Sequence, residues 1–223
     1  MPSEDAPLAD EAAPEVRVRS SELLVEGRVW DVRRDRFDFG GEELVRDYVD
    51  HPGAVAVLAL DAEERVLLIR QYRHAIAHRD WEIPAGLMDA PGESGLAAAR
   101  RELAEETDLA ASRWDLLLDL WTSPGGSSEA VRVFLARELR ACERAFAREA
   151  EEAELVLRWE RLDSAADAVL AGRVQNAIAA AAILAALAAR STGWTGLGPP
   201  ETPWSGRESV RGLRARPGMR PRR

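Results

Sequence analysis

Short apolar runs broken by glycines and charged turns fill the first two thirds of the chain, and alanine-rich stretches close it. Between Val16 and His51 apolar and charged residues alternate imperfectly in three segments, VRVRSSELLVEG, RVWDVRRDRFDF and EELVRDYVDH, punctuated by Gly27 and Gly40-Gly41. A period near two with glycine breaks predicts a small antiparallel sheet over about residues 17–50. Pro52-Gly53 then marks a boundary. AVAVLALD (54–61) is continuously apolar and reads as a buried strand; Asp61 to Glu64 turns the chain, and RVLLIRQYR (65–73) returns as its hairpin partner. HAIAHRD reads as a loop and WEIPAG as a short strand.

The next segment has helical spacing. Ser94 caps a predicted helix over 95–106, on which Glu102, Glu105 and Glu106 stand at i, i+3 and i+4 and so share one face. Like charges at that spacing repel by a few tenths of a kcal/mol per pair. They also sit toward the helix C-terminus, where the dipole disfavours them. A hard divalent cation turns that repulsion into coordination. Beyond it, 112–123 reads as a strand pair or one long bent strand, 123–129 as a turn-rich loop and 130–140 as a strand. Residues 141–154 are acidic and polar, a short helix or a loop; 155–162 is a strand, and helices follow near Ser164 and over 174–190. Strands, one acid-bearing helix between strands, then closing helices predict a mixed-sheet α/β sandwich with an N-terminal antiparallel β subdomain.

Composition narrows the function. The chain has 223 residues, 46 % of them apolar, enough for one ordinary domain with appendages. A net charge of −9 argues against a general nucleic-acid binder. All 30 basic residues are arginine, which reads as codon bias. One cysteine, Cys142, excludes an intrachain disulfide framework and fits a reducing cytoplasm. The N-terminus lacks a secretory pattern, and the longest apolar run, Ala177–Ala189, is too short to span a bilayer, so no membrane partner is expected. Residues 1–16, with three prolines and five acids, are expected to be disordered, and 191–223 form a basic, Pro/Gly-rich tail.

The run Trp81 to Leu109 resembles the signature of the Nudix hydrolases, G-x5-E-x7-R-E-U-x-E-E-x-G-U. Gly86, Glu93, Arg101, Glu102, Leu103, Glu105, Glu106 and Leu109 occupy signature positions. Six residues instead of five separate Gly86 from Glu93, and Asp108 replaces the second glycine. The resemblance covers about residues 51–190. GAVAVL, RQYRH, WEIPAG, SPG and the acidic loop before the closing helix are similar to the ADP-ribose pyrophosphatase branch, and the longer box loop and GW…PPETPW tail to its actinobacterial members.

The resemblance implies an α/β/α sandwich that hydrolyses the diphosphate of ADP-ribose with Mg2+ or Mn2+, as a cytoplasmic homodimer. Other nucleoside diphosphate sugars or dinucleotides are alternative substrates, and a non-catalytic nucleotide-sensing regulator is the reading from another class. Glu102, Glu105 and Glu106 with the Ala85 carbonyl are the implied metal ligands. Glu93 either braces Arg101, fixing the Gly86 loop on the helix, or binds metal itself. The general base falls in the acidic loop, at Glu152 or else Glu151, with Glu149 and Glu154 nearby. Arg73, and with it Arg70, is a candidate clamp for the diphosphate. Glu82 and Glu129 resemble polar substrate positions, and Trp30 is either a stacking platform for adenine or part of the core. Gly126, where relatives carry an aromatic residue, loosens the expected ribose contact. The three histidines form no ligand spacing.

Overall fold

The computed structural model describes residues 8–142 and 154–214. It divides into two compact units, one spanning His51–Pro203, the other gathering the chain up to Asp50 and from Trp204 onward. In the latter, β1 (Arg17–Val25), β2 (Asp31–Phe39) and β3 (Glu42–Asp50) form an antiparallel sheet in that order. Gly40 and Gly41, at φ of 61° and 88°, supply the left-handed pair that a two-residue hairpin turn needs. The imperfect alternation in β2 has a physical cause: its buried positions are charged. Asp31, Arg33 and Asp35 are all buried, and Arg33 Nε donates to Asp50 Oδ2 at 3.0 Å. The Tyr48 hydroxyl donates to Asp35 at 3.3 Å, and burial, then the charges of Asp35 and Asp50, raise its pKa well above the ordinary phenol value. Helix α4 (Ser205–Arg214) lies in the segment read from sequence as an irregular tail.

The larger unit is an α/β/α sandwich. Its central sheet has the order β7-β4-β9-β8, from β4 (Ala54–Ala59), β7 (Ala85–Leu87), β8 (Leu109–Trp121) and β9 (Ala130–Ala141). β4 and β9 run parallel and the other pairs antiparallel, so the sheet is mixed. β4 is buried on both faces, as its unbroken apolar run requires. Ala54, Ala56 and Leu58 pack with Val131, Val133 and Leu135 against α3 (Ala177–Ser191) through Ala179, Ala182, Ile183 and Ala186. The alternate residues Val55 and Phe134 face α1 (Gly95–Thr107) at Gly95. Small residues on β4 and α3 let these layers approach closely.

A second antiparallel sheet has the order β10-β5-β6, with β5 (Arg65–Arg73), β6 (His78–Glu82) and β10 (Val156–Arg161). The expected hairpin partner of β4 therefore pairs elsewhere: β5 takes β6 and β10 as neighbours, and its pairing toward β4 is limited to an isolated Leu60–Val66 bridge among the described residues. A short 3-10 turn, His74–Ile76, joins β5 to β6 inside the predicted loop. Helix α2 (Leu162–Leu170) covers Val66 and Leu68 with Leu162, Ala165 and Ala166.

Local signals explain most helix ends. Ser94 accepts from Ala97 N and caps α1, and Asn176 does the same for α3 through Ala179 N. α2 starts at Leu162, before Ser164, and Arg161 caps it without a side-chain bond. β8 is one long strand with an irregularity between Leu116 and Leu118. Gly198 exchanges backbone hydrogen bonds with Leu116 at 2.8 and 3.2 Å, so residues just past α3 are fastened to the free edge of β8. No helix of the described residues is long and apolar enough to cross a membrane.

Candidate active site

β7 and α1 carry the site between them. Antiparallel pairing with β4 fixes β7 in register, Ala56 opposite Ala85 and Val55 opposite Gly86. α1 crosses it so that Glu106, buried, accepts a hydrogen bond at Oε2 from Ala85 N at 3.0 Å. One turn earlier, Glu102 lies directly over Gly86. A Cβ at residue 86 would stand 2.0 Å from the Glu102 carboxyl carbon and Oε1, which no side chain can do. Glycine is required here for the approach of a carboxylate, at a position where the backbone itself is ordinary strand.

Arg101 binds the rest of the set. Its Nε and Nη2 each donate to a different oxygen of Glu93 at 3.1 Å, and its Nη1 reaches Glu102 at 2.6 Å and Glu105 at 3.1 Å. This two-pronged bond fastens the loop after Gly86 to the helix. The Arg101 bond is the main reason that the Glu93 pKa lies below the ordinary carboxylate value, and Glu93 leads the contacts that raise the Arg101 pKa. α1 ends where the signature has glycine: Asp108 adopts the left-handed conformation, φ 57° and ψ 29°, and its N–H closes on Ala104 O at 2.9 Å. Asp tolerates that region better than most residues, so the departure leaves the helix stop intact.

The two glutamates brought to the Ala85-Gly86 backbone offer hard oxygens, the kind that suits Mg2+ or Mn2+. Glu102 and Glu106 both reach the Ala85-Gly86 backbone from one face of α1, and the missing Cβ at 86 leaves the room that the Glu102 carboxylate fills. Among the described residues, no three His, Cys, Asp or Glu side chains make a metal cluster by themselves. Arg101 sits among Glu93, Glu102 and Glu105 and carries the countercharge there. Two carboxylates with substrate phosphates and water are a usual complement for Mg2+, so the residues fit such an ion.

Arg73 and Glu82 meet at the end of the β5–β6 pair. Arg73 Nε and Nη2 donate to the two Glu82 oxygens at 2.6 and 2.7 Å, and Gln71 Nε2 adds a bond at 3.3 Å. Glu82 is buried, whereas Arg73 is 45 % exposed. Arg70 does not join them. Residues three apart on a strand point to opposite faces, and Arg70 lies over the Trp81 ring, 5.3 Å from its centroid. Trp30, in the smaller unit, is exposed at 44 % and so is not a core residue. Glu152 and Glu151, with Glu149, lie outside the described residues; Glu154 is exposed.

Glu129 is held by a network that spacing could not reveal. Thr122 Oγ1 donates to its Oε2 at 2.5 Å, and His51 Nε2 lies 3.5 Å from its Oε1. Gly53 N–H donates to His51 Nδ1 at 3.1 Å, which leaves the ring proton on Nε2, facing Glu129. Ser128 Oγ in turn accepts from His51 N across 77 residues. The only local signal was a histidine before Pro-Gly at a strand start.

Residues 50–180 match the family model described as NUDIX domain. The chain belongs to the Nudix family. It is 43 % identical over 192 residues to an ADP-ribose pyrophosphatase of Mycobacterium tuberculosis, covering 86 % of this chain and 92 % of that protein. It is 37 % identical over 143 residues to an ADP-ribose pyrophosphatase of Bacillus subtilis, covering 64 % and 76 % respectively. A solved structure described as an ADP compounds hydrolase superposes with a TM-score of 0.68 at 21 % identity, covering 83 % of this chain and all of that one. That likeness bears on the Nudix fold. The chain is a hydrolase of this family, and its signature carboxylates are those gathered around Arg101 and Ala85.

Proposed function

We propose that the protein hydrolyses the diphosphate of ADP-ribose to AMP and ribose 5-phosphate, with Mg2+ or Mn2+, as a cytoplasmic homodimer. The observation that carries this is the approach of Glu102 and Glu106 to the Ala85-Gly86 backbone, with Glu102 braced by Arg101, in a chain similar to ADP-ribose pyrophosphatases over most of its length. Glu102, Glu106 and the Ala85 carbonyl would hold the ion, with Glu105 as a further ligand. The ion would neutralise charge on the diphosphate and acidify a bound water. Glu93 and Arg101 hold Glu102 over Gly86. Glu152, or Glu151, takes the proton from the attacking water.

Arg73 orients Glu82 with Nε and Nη2 and is the clamp for the diphosphate. Glu129, steadied by Thr122 and His51, contacts the rest of the substrate, and exposed Trp30 is a candidate platform for the adenine of a bound nucleotide. A panel of ADP-ribose, nucleoside diphosphate sugars and dinucleotides, compared by kcat/KM, tests the substrate. ADP-ribose is expected to lead, and preference for another member of the panel overturns that assignment. Glu106→Gln keeps an acceptor for Ala85 N–H and removes only charge. Its activity is expected to fall by more than about 10²-fold with the melting temperature nearly unchanged. Full activity in that variant would remove Glu106 from the site.

A further inference from the structure

On the opposite side of the β5–β6 sheet from Glu82 lies a cavity of about 340 Å³. The register sets this: Glu82 pairs with Ile69, and Trp81 with Arg70, so the indole projects from the other face. Trp81 and Leu68 form the cavity floor, Arg158 and Glu160 of β10 one side, and Ala165 and Ala168 of α2 the wall. Arg173, in the turn after α2, closes the rim.

The charges do not balance. Arg158 lies 5.9 Å from the Trp81 centroid and Arg70 5.3 Å, so two guanidinium groups attend one indole. Among the described residues only Arg158 of these is ion-paired, to Glu160 at 2.5 Å. Arg70 Nε is buried without a hydrogen-bond partner, and Arg173 makes no side-chain ion pair among the described residues. Two lining arginines, Arg158 and Arg173, stand against one lining carboxylate, Glu160, and Arg70 adds a guanidinium at the Trp81 ring, a surplus of positive charge suited to a phosphate. Guanidinium forks match the oxygens of a phosphate, and the cavity volume falls in the range of small-molecule sites. The apolar wall and the indole suit a flat or carbon-rich body attached to that phosphate.

We infer that this cavity is a second ligand site, separate from the hydrolytic centre, that takes a small phosphate monoester with its phosphate between Arg158 and Arg173 and its body against Trp81. The inference rests on the cavity alone and holds whatever diphosphate the Nudix site cleaves.

Calorimetric titration of the full-length protein with AMP, ribose 5-phosphate and inorganic phosphate, in EDTA, tests it. A binding event is expected for at least one ester that Arg158→Ala/Arg173→Ala weakens by about tenfold or more, while kcat/KM toward the diphosphate substrate stays within about twofold of wild type. AMP binding tighter than ribose 5-phosphate places a base on Trp81, and the reverse order places a sugar there. Ser164→Glu, which adds a carboxylate at an exposed position lining the cavity, is expected to weaken the same event without removing any arginine. Inorganic phosphate binding as tightly as either ester overturns the monoester assignment. Ester binding indifferent to both variants, or absent at millimolar concentration, overturns the site.

Discussion

Glu102 occupies the space that a side chain at Gly86 would need. The contact is with the carboxyl carbon and oxygen at 2.0 Å, and pairing with β4 holds the β7 backbone in its register. Gly86→Ala is therefore expected to push Glu102 off its position by about an ångström, a displacement that can cost roughly 10²-fold in rate. Stability should change far less, since Glu102 is free to swing outward. Steady-state kinetics beside a melting curve checks this, and an alanine variant with wild-type kcat would show that Glu102 needs no fixed place.

The bidentate bond from Arg101 gives stability a particular pH dependence. The Glu93 pKa is depressed in the folded protein, first by that bond. Its contribution is therefore full above the unfolded value, 4.5 for a glutamate, and is lost as pH falls through the lower folded value. At pH 7 Glu93→Gln is expected to cost about 1–2 kcal/mol, the lower part of the range for hydrogen bonds to charged groups because Arg101 is partly exposed. As pH falls through the folded value the gap between wild type and variant should close. Urea unfolding at pH 7 and at acid pH measures the difference, and a gap that widens on acidification contradicts the assignment.

The helix half of the site was readable in the chain because helical spacing, an N-cap serine and paired carboxylates are local signals. Ser94, Arg101, Glu102 and Glu106 needed only their own neighbours to be placed. Gly86 was readable as a signature position, but its reason, the approach of Glu102, is a contact between elements. β5 was misassigned as the partner of β4 because two apolar runs joined by a short turn look like a hairpin, and only the packing of α2 on Val66 and Leu68 separates the sheets. The charged face of β2 defeated alternation rules, since its buried positions are Asp31, Arg33 and Asp35. Arg70 and Arg73 look equivalent in RQYR until strand parity sends them to opposite faces.

Glu82 depends on Arg73. Glu82 is buried, and its carboxylate accepts two bonds from Arg73 and one from Gln71. Removing Arg73 leaves a buried charge poorly compensated, whereas changing both partners does not. Arg73→Ala is expected to lower stability by about 2 kcal/mol, the exposed arginine end moderating the loss. Glu82→Gln in the same chain should recover a good part of it. A double-mutant cycle on melting temperatures measures the coupling. Additive effects would mean the pair does not act as one unit.

Arg132 ties the segment after α3 to the central sheet. Its side chain is only 5 % exposed; Nε and Nη2 donate to the two oxygens of Asp119 on β8 at 2.8 Å each. Nη1 donates to Thr202 O at 2.5 Å and Nη2 also to Pro203 O at 3.3 Å. Asp119 is 40 % exposed, so the ion pair alone is worth little, and the bonds to the two carbonyls are what tie the segment to β9. Arg132→Met, apolar and of similar length, keeps the packing and removes the donors. It is expected to cost about 2–3 kcal/mol and to free residues 197–203, exposing the β8 edge at Leu116. Hydrogen exchange at Leu116 and Gly198, which bond to each other, should accelerate in step in the variant, ahead of β4 and β9. Unchanged protection at both amides would show that the Leu116–Gly198 bridge holds the segment without Arg132.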